Sequence, residues 1–149
     1  MGSGSRQRIY AFLLALGAAF LLYRTIMMLS QGALDRLVLW VSILLIAELL
    51  LDLSCLVSSV RWWISNDRDK AQIALRLGAA VTIIHALRVL VFVLARVGPW
   101  INFDVRPEYA DSHSATWTWT GVWFAGIMAV LGVIGVIVIW LLIRRAKKS

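Results

Sequence analysis

The stretch LVLWVSILLIAELLLDLSCLVSSV, residues 37–60, decides the fold. It is longer than the roughly 20 apolar residues a spanning helix needs. It contains neither glycine nor proline, so nothing breaks it into the roughly 10-residue strands of a membrane barrel. In hydrocarbon only helices and closed barrels satisfy every backbone group, so the run reads as a membrane helix. Yet it carries Glu48 and Asp52, four apart and therefore on one helix face. Cys55 and Ser59 continue that face. An apolar helix with one polar stripe turns it toward protein or water, not lipid.

Three more apolar runs flank this one. The first covers 8–29 and is closed by Ser30-Gln31-Gly32, with Gly32 as its C-terminal cap. Asp35 is the expected N-cap of the second run. Arg61 and Trp62-Trp63 mark the far end of that run, and Ser65-Asn66-Asp67-Arg68-Asp69-Lys70 forms the turn. The third run covers 71–97 and stops at Gly98-Pro99, because proline cannot continue the ladder. The fourth covers 116–143. The expected fold is an all-α integral membrane protein, a four-transmembrane-helix bundle. It forms a single membrane domain over 1–149, with an outer loop at 98–115.

Composition agrees. The chain is 61% hydrophobic and 15% charged, with mean hydropathy +0.83, against about half and a quarter in soluble domains. That excludes an ordinary soluble enzyme, a disordered tail and a collagen-like fibre. The single cysteine, Cys55, excludes an intrachain disulfide, a CxxC redox pair and a cysteine-built zinc site. The net charge of +7 comes from basic residues flanking the apolar runs. Topology and lipid headgroups account for it, and nucleic acid is not expected as a partner.

Charge sets the expected orientation. With both termini on one side, that side carries Arg6, Arg8, Arg61, Arg68, Lys70, Arg76, Arg144, Arg145, Lys147 and Lys148. The other carries Arg24, Arg36, Arg96 and Arg106. Both termini are therefore expected in the cytoplasm, in a bacterial cytoplasmic membrane. The tryptophans read as two interfacial belts, Trp40, Trp100, Trp117, Trp119 and Trp123 outside, Trp62, Trp63 and Trp140 inside.

Small residues recur every four positions: Ala11, Ala15 and Ala19 on the first run, Ala74, Gly78, Thr82 and Ala86 on the third, Gly121, Ala125 and Ala129 on the fourth. Such stripes let helix backbones approach in a bilayer. His85 and Arg88 share a face of the third run, read as distinct from its small-residue stripe. Counting at 1.5 Å per residue from the outer ends puts Glu48 and His85 at similar depth. The expected arrangement is a Glu48–Arg88 ion pair, with His85 beside it and Asp52 as the inner member. Pairing offsets the desolvation of charges at mid-bilayer. The network reads either as a device pinning helix register or as a proton or cation path.

In the outer loop, Asp104, Glu108, Asp111 and His113 match no defined metal motif, so no metal is expected. They read as a solvated acidic surface and the best candidate for contact with an external partner. Of the two histidines, only His85 lies at membrane depth, so a bis-histidine haem within one chain is not expected, nor any other cofactor. The glutamate of small multidrug exporters, the cysteine pairs of disulfide-forming and claudin-like proteins, and the arginine ladder of voltage sensors are all absent.

No catalytic motif is present, so no enzyme activity is expected. The leading expectation is a non-enzymatic accessory or scaffold subunit, packing against other membrane chains or itself and bathed in membrane lipid. A proton- or cation-conducting protein using Glu48, Asp52 and His85 is the alternative. A lipid- or quinone-binding protein using His85 and Arg88 is the third.

Overall fold

The computed structural model describes residues 3–97 and 99–111, and within 123–145 the positions 123, 127, 130, 131, 134, 135, 137, 138, 140–142, 144 and 145. Helix α1 spans Ser3–Ser30, α2 is a single turn at Ala33–Arg36, α3 spans Leu39–Ser65 and α4 spans Arg68–Val97. A 3-10 turn follows at Pro107–Tyr109. Helices α1, α3 and α4 are long and apolar enough to cross a membrane. The described residues between 123 and 145 are helical. The rest of the expected fourth span, 116–143, lies outside the described residues.

Each long helix measures about 40 Å at 1.5 Å per residue, more than the roughly 30 Å of hydrocarbon. The helices therefore outrun the apolar spans. Helix α3 continues past Arg61 to Ser65, and the expected turn shrinks to Asn66-Asp67. Asn66 adopts a left-handed conformation (φ 51°), and its N–H bonds the Trp62 carbonyl at 2.8 Å. Asparagine tolerates that region better than most side chains. Asp35 falls inside α2, and α3 is instead capped at Val38 with no side-chain bond. The extra turn exists because Gly32 (φ 78°) reverses the chain after α1.

The buried face of α3 is Val41, Leu45, Glu48, Asp52, Cys55, Ser59 and Trp62. Intervals of four and three alternate along it, the spacing of a seam that faces its neighbours over a helix's whole length. Helix α1 buries Ala11, Ala18 and Thr25 at seven-residue spacing. Helix α4 buries Ala71, Ala74, Gly78 and Val81. The same alternation then reaches His85 and Arg88. This corrects two expectations. Ala15 and Ala19 are only half-buried, because a strict four-residue stripe drifts off a packed face whereas a 3.5-residue average stays on it. His85 and Arg88 also belong to the same seam as Ala74 and Gly78.

Helices α1 and α4 both pack chiefly on α3. At one end Ala11, Trp62, Ala71, Ala74 and Leu75 form a cluster; Ala18, Cys55 and Val81 form the next. At the other end Ala33, Leu37, Val41, Leu45 and Val105 close the bundle. Trp62 is thus a core residue, 3% exposed.

Residues 99–110 are folded back onto α2. An isolated bridge pairs Leu37 with Val105. The Val38 N–H donates to the Asp104 carbonyl at 3.0 Å and the Arg106 N–H to the Arg36 carbonyl at 2.8 Å. Trp40 stacks on Phe103 with centroids 5.8 Å apart.

Candidate functional site

Between the apolar clusters lies a polar layer drawn from all three long helices. Glu48 and Asp52 are both 0% exposed. Four residues apart on one face of α3, they are aimed at α1 and α4. Arg88 Nε donates to Glu48 Oε1 at 2.5 Å and to Oε2 at 2.7 Å. His85 Nε2 lies 2.9 and 3.1 Å from the two Asp52 oxygens. Its Nδ1 stands 3.6 Å from Glu48 Oε2, within ion-pair range but beyond a hydrogen bond. Thr25 Oγ1 lies 3.1 Å from Asp52 Oδ2 and 3.0 Å from the Leu21 carbonyl.

The structure therefore brings Glu48, Asp52, His85 and Arg88 together. The imidazole stands between the two carboxylates, in closer contact with Asp52 than with Glu48. Glu48 and Arg88 carry opposite charges and pair directly. All four carboxylate oxygens have protein partners. Removing any one partner would strand a buried charge, the costly case in low dielectric.

A cavity of about 260 Å³ adjoins this layer, lined by Leu21, Arg24, His85, Arg88, Val89 and Leu131 among others. Arg88 spends only its Nε on Glu48, and its two terminal nitrogens have no hydrogen-bond partner among the described residues. Below Asp52 the seam continues through Cys55 and Ser59, whose sulfur and oxygen are 3.9 Å apart. Among the described residues no three His, Cys, Asp or Glu side chains are arranged to hold a metal ion.

Among the described outer-loop residues, Asp104 is set apart from Glu108 and Asp111 by its burial. Asp104 is 4% exposed and forks with Arg96, whose Nη1 and Nη2 donate at 3.1 and 3.2 Å. It anchors the loop to the end of α4, a correction to its reading as solvated. Glu108 and Asp111 are exposed. His113 lies outside the described residues.

Two members of these networks were not apparent from the sequence. Thr25 follows Arg24 in an otherwise apolar run and shares no spacing with an acid on its own helix. The Arg96–Asp104 pair depends on how the loop folds back after Pro99. A lone hydroxyl in a span, and an arginine at a helix end with an acid a few residues on, are the only signals either leaves.

No known protein family, curated protein or solved structure matches this chain, so the reading rests on its own geometry.

Proposed function

We propose that the chain is a non-enzymatic accessory or scaffold subunit, in a bacterial cytoplasmic membrane with both termini cytoplasmic. It packs against other membrane chains or copies of itself. The observation that carries this reading is the saturation of the buried carboxylates. Every oxygen of Glu48 and Asp52 is engaged by a donor from α1 or α4, so the polar layer is spent on pinning three helices in register. What the pinned helices present outward is apolar: Phe12, Leu16 and Phe20 on α1, and Ile43, Leu50 and Leu53 on α3, are all exposed. Such faces suit lipid or a neighbouring helix. The test is gentle purification from the native membrane followed by mass spectrometry of the intact complex. Stoichiometric foreign subunits or a defined homo-oligomer are expected. A monomer carrying only lipid would overturn the reading.

One observation favours a second reading, proton conduction. His85 Nε2 lies 2.9 Å from Asp52 Oδ1 and its Nδ1 lies 3.6 Å from Glu48 Oε2, so the imidazole stands between two buried carboxylates. In liposomes, Asp52→Asn would then abolish proton flux that the unaltered protein supports. Absence of flux from the unaltered protein removes this reading and leaves the first intact.

A further inference from the structure

The carboxylates of the polar layer are fully engaged, but the guanidinium is not. Arg88 gives only its Nε to Glu48, and Nη1 and Nη2 have no partner among the described residues. Counted from Val97, Arg88 sits about 13 Å along α4, inside a roughly 30 Å hydrocarbon layer centred on that helix. Water does not satisfy donors at that depth, so they need another acceptor. Arg88 also lines the cavity of about 260 Å³ between α1, α4 and the C-terminal helical segment. Leu21 of α1, Val89 of α4 and Leu131 of the C-terminal segment give it apolar walls. Its other polar side chains are committed. His85 Nε2 is 2.9 Å from Asp52 Oδ1, and Thr82 Oγ1 donates to the Gly78 carbonyl at 2.8 Å. Arg24 lines the cavity too and has an interaction of its own. What the cavity offers a ligand is therefore the pair of terminal Arg88 nitrogens, set among apolar surface.

We propose that this cavity binds the head ring of a membrane-soluble quinone, one ring carbonyl accepting from the terminal nitrogens of Arg88. Such donors call for an acceptor on an apolar frame. The Glu48 carboxylate already sits on the same guanidinium, so a second anion there would be repelled by it, whereas a neutral carbonyl would not. A phospholipid ester carbonyl stays at the interface, while Arg88 lies within the hydrocarbon. Size agrees. The cavity of about 260 Å³ lies just under the roughly 300–1,000 Å³ of small-molecule sites, room for a small ring system and not for a whole lipid. Gly135 helps to keep that room open. A Cβ there would meet Thr82 Cγ2 at 4.0 Å, and its absence leaves the space to the ring. A ring seated there would fill the cleft between α1 and α4, which both pack chiefly on α3.

The experiment uses the full chain in detergent, stripped of bound lipid, in equilibrium dialysis against matched micelles. Duroquinone is the probe, and durene is the same methylated ring without the carbonyls. Oleate and phosphatidylcholine serve as competitors, one offering a carboxylate and the other ester carbonyls. Duroquinone should bind saturably and about tenfold more tightly than durene, the worth of one charge-assisted hydrogen bond. Arg88→Lys keeps a charge beside Glu48 but withdraws the terminal nitrogens, and should weaken duroquinone binding by about tenfold. Gly135→Leu should fill the cavity and abolish binding with the thermal midpoint preserved. It lies outside the polar layer, so it tests the site even if Arg88→Lys disturbs the fold. Equal binding of durene would overturn the proposal, as would displacement of duroquinone by oleate or phosphatidylcholine at equal concentration. So would unchanged duroquinone binding in Gly135→Leu.

Discussion

Arg88 meets Glu48 through a single nitrogen: Nε lies 2.5 and 2.7 Å from the two carboxylate oxygens, and the carboxylate is 0% exposed. The pair joins α4 to α3 inside two helices long and apolar enough to cross a membrane, where an unpaired charge is poorly tolerated. It therefore works more by what its loss would cost than by net attraction.

Breaking the pair from one side should be worse than deleting it. Arg88→Leu is expected to destabilise the bundle by about 3–5 kcal/mol, because Glu48 is left buried and uncompensated. The double variant Glu48→Leu/Arg88→Leu should recover most of that loss. Unfolding titrations in mixed micelles measure both, and additive losses in the double variant would refute direct coupling.

Thr25 tests the α1 side of the same layer. Thr25→Val keeps the shape but removes the hydroxyl that reaches Asp52. A loss of about 1.5–3 kcal/mol is expected for a bond to a charged acceptor. Thr25→Ser should restore most of it in the same titration, and a Val variant as stable as the original would remove Thr25 from the network.

Arg96 and Asp104 tie the outer loop to the end of α4. Asp104→Asn should loosen residues 99–110 without disturbing the polar layer beneath. Hydrogen exchange read by mass spectrometry should quicken at Val105 and Arg106, whose N–H groups bond Asn102 and Arg36 carbonyls. Exchange in the Glu48–Cys55 segment should stay unchanged. Uniform quickening in both regions would contradict this division.

Adjacent small residues on α1 should respond in opposite directions. Ala18 is buried against Cys55 and Val81, so Ala18→Leu overpacks the seam at a cost of about 1–3 kcal/mol. Gly17 is exposed, with nothing within 4 Å of an added Cβ. Gly17→Ala should stabilise the helix by about 0.5–1 kcal/mol. Thermal midpoints of the two variants moving the same way would place the seam elsewhere.

Helix identity, approximate span limits and the face shared by Glu48 and Asp52 were legible in the sequence, because they depend only on apolar run length and a fixed rise and turn per residue. The expected Glu48–Arg88 pair forms, but counting from the helix ends set His85 level with Glu48, whereas its close contact is with Asp52, one turn away. Other features depend on contacts between segments. Thr25 reaches Asp52 from another helix, Asp104 finds Arg96 only once the loop folds back, and Trp62 is buried by Ala11, Ala71 and Ala74 from neighbouring helices. Spacing within one helix carries no information about what the next helix places against it. Periodicity determined which residues share a face. The packing of α1 and α4 on α3 decided which faces are buried, and with them the partners of Asp52.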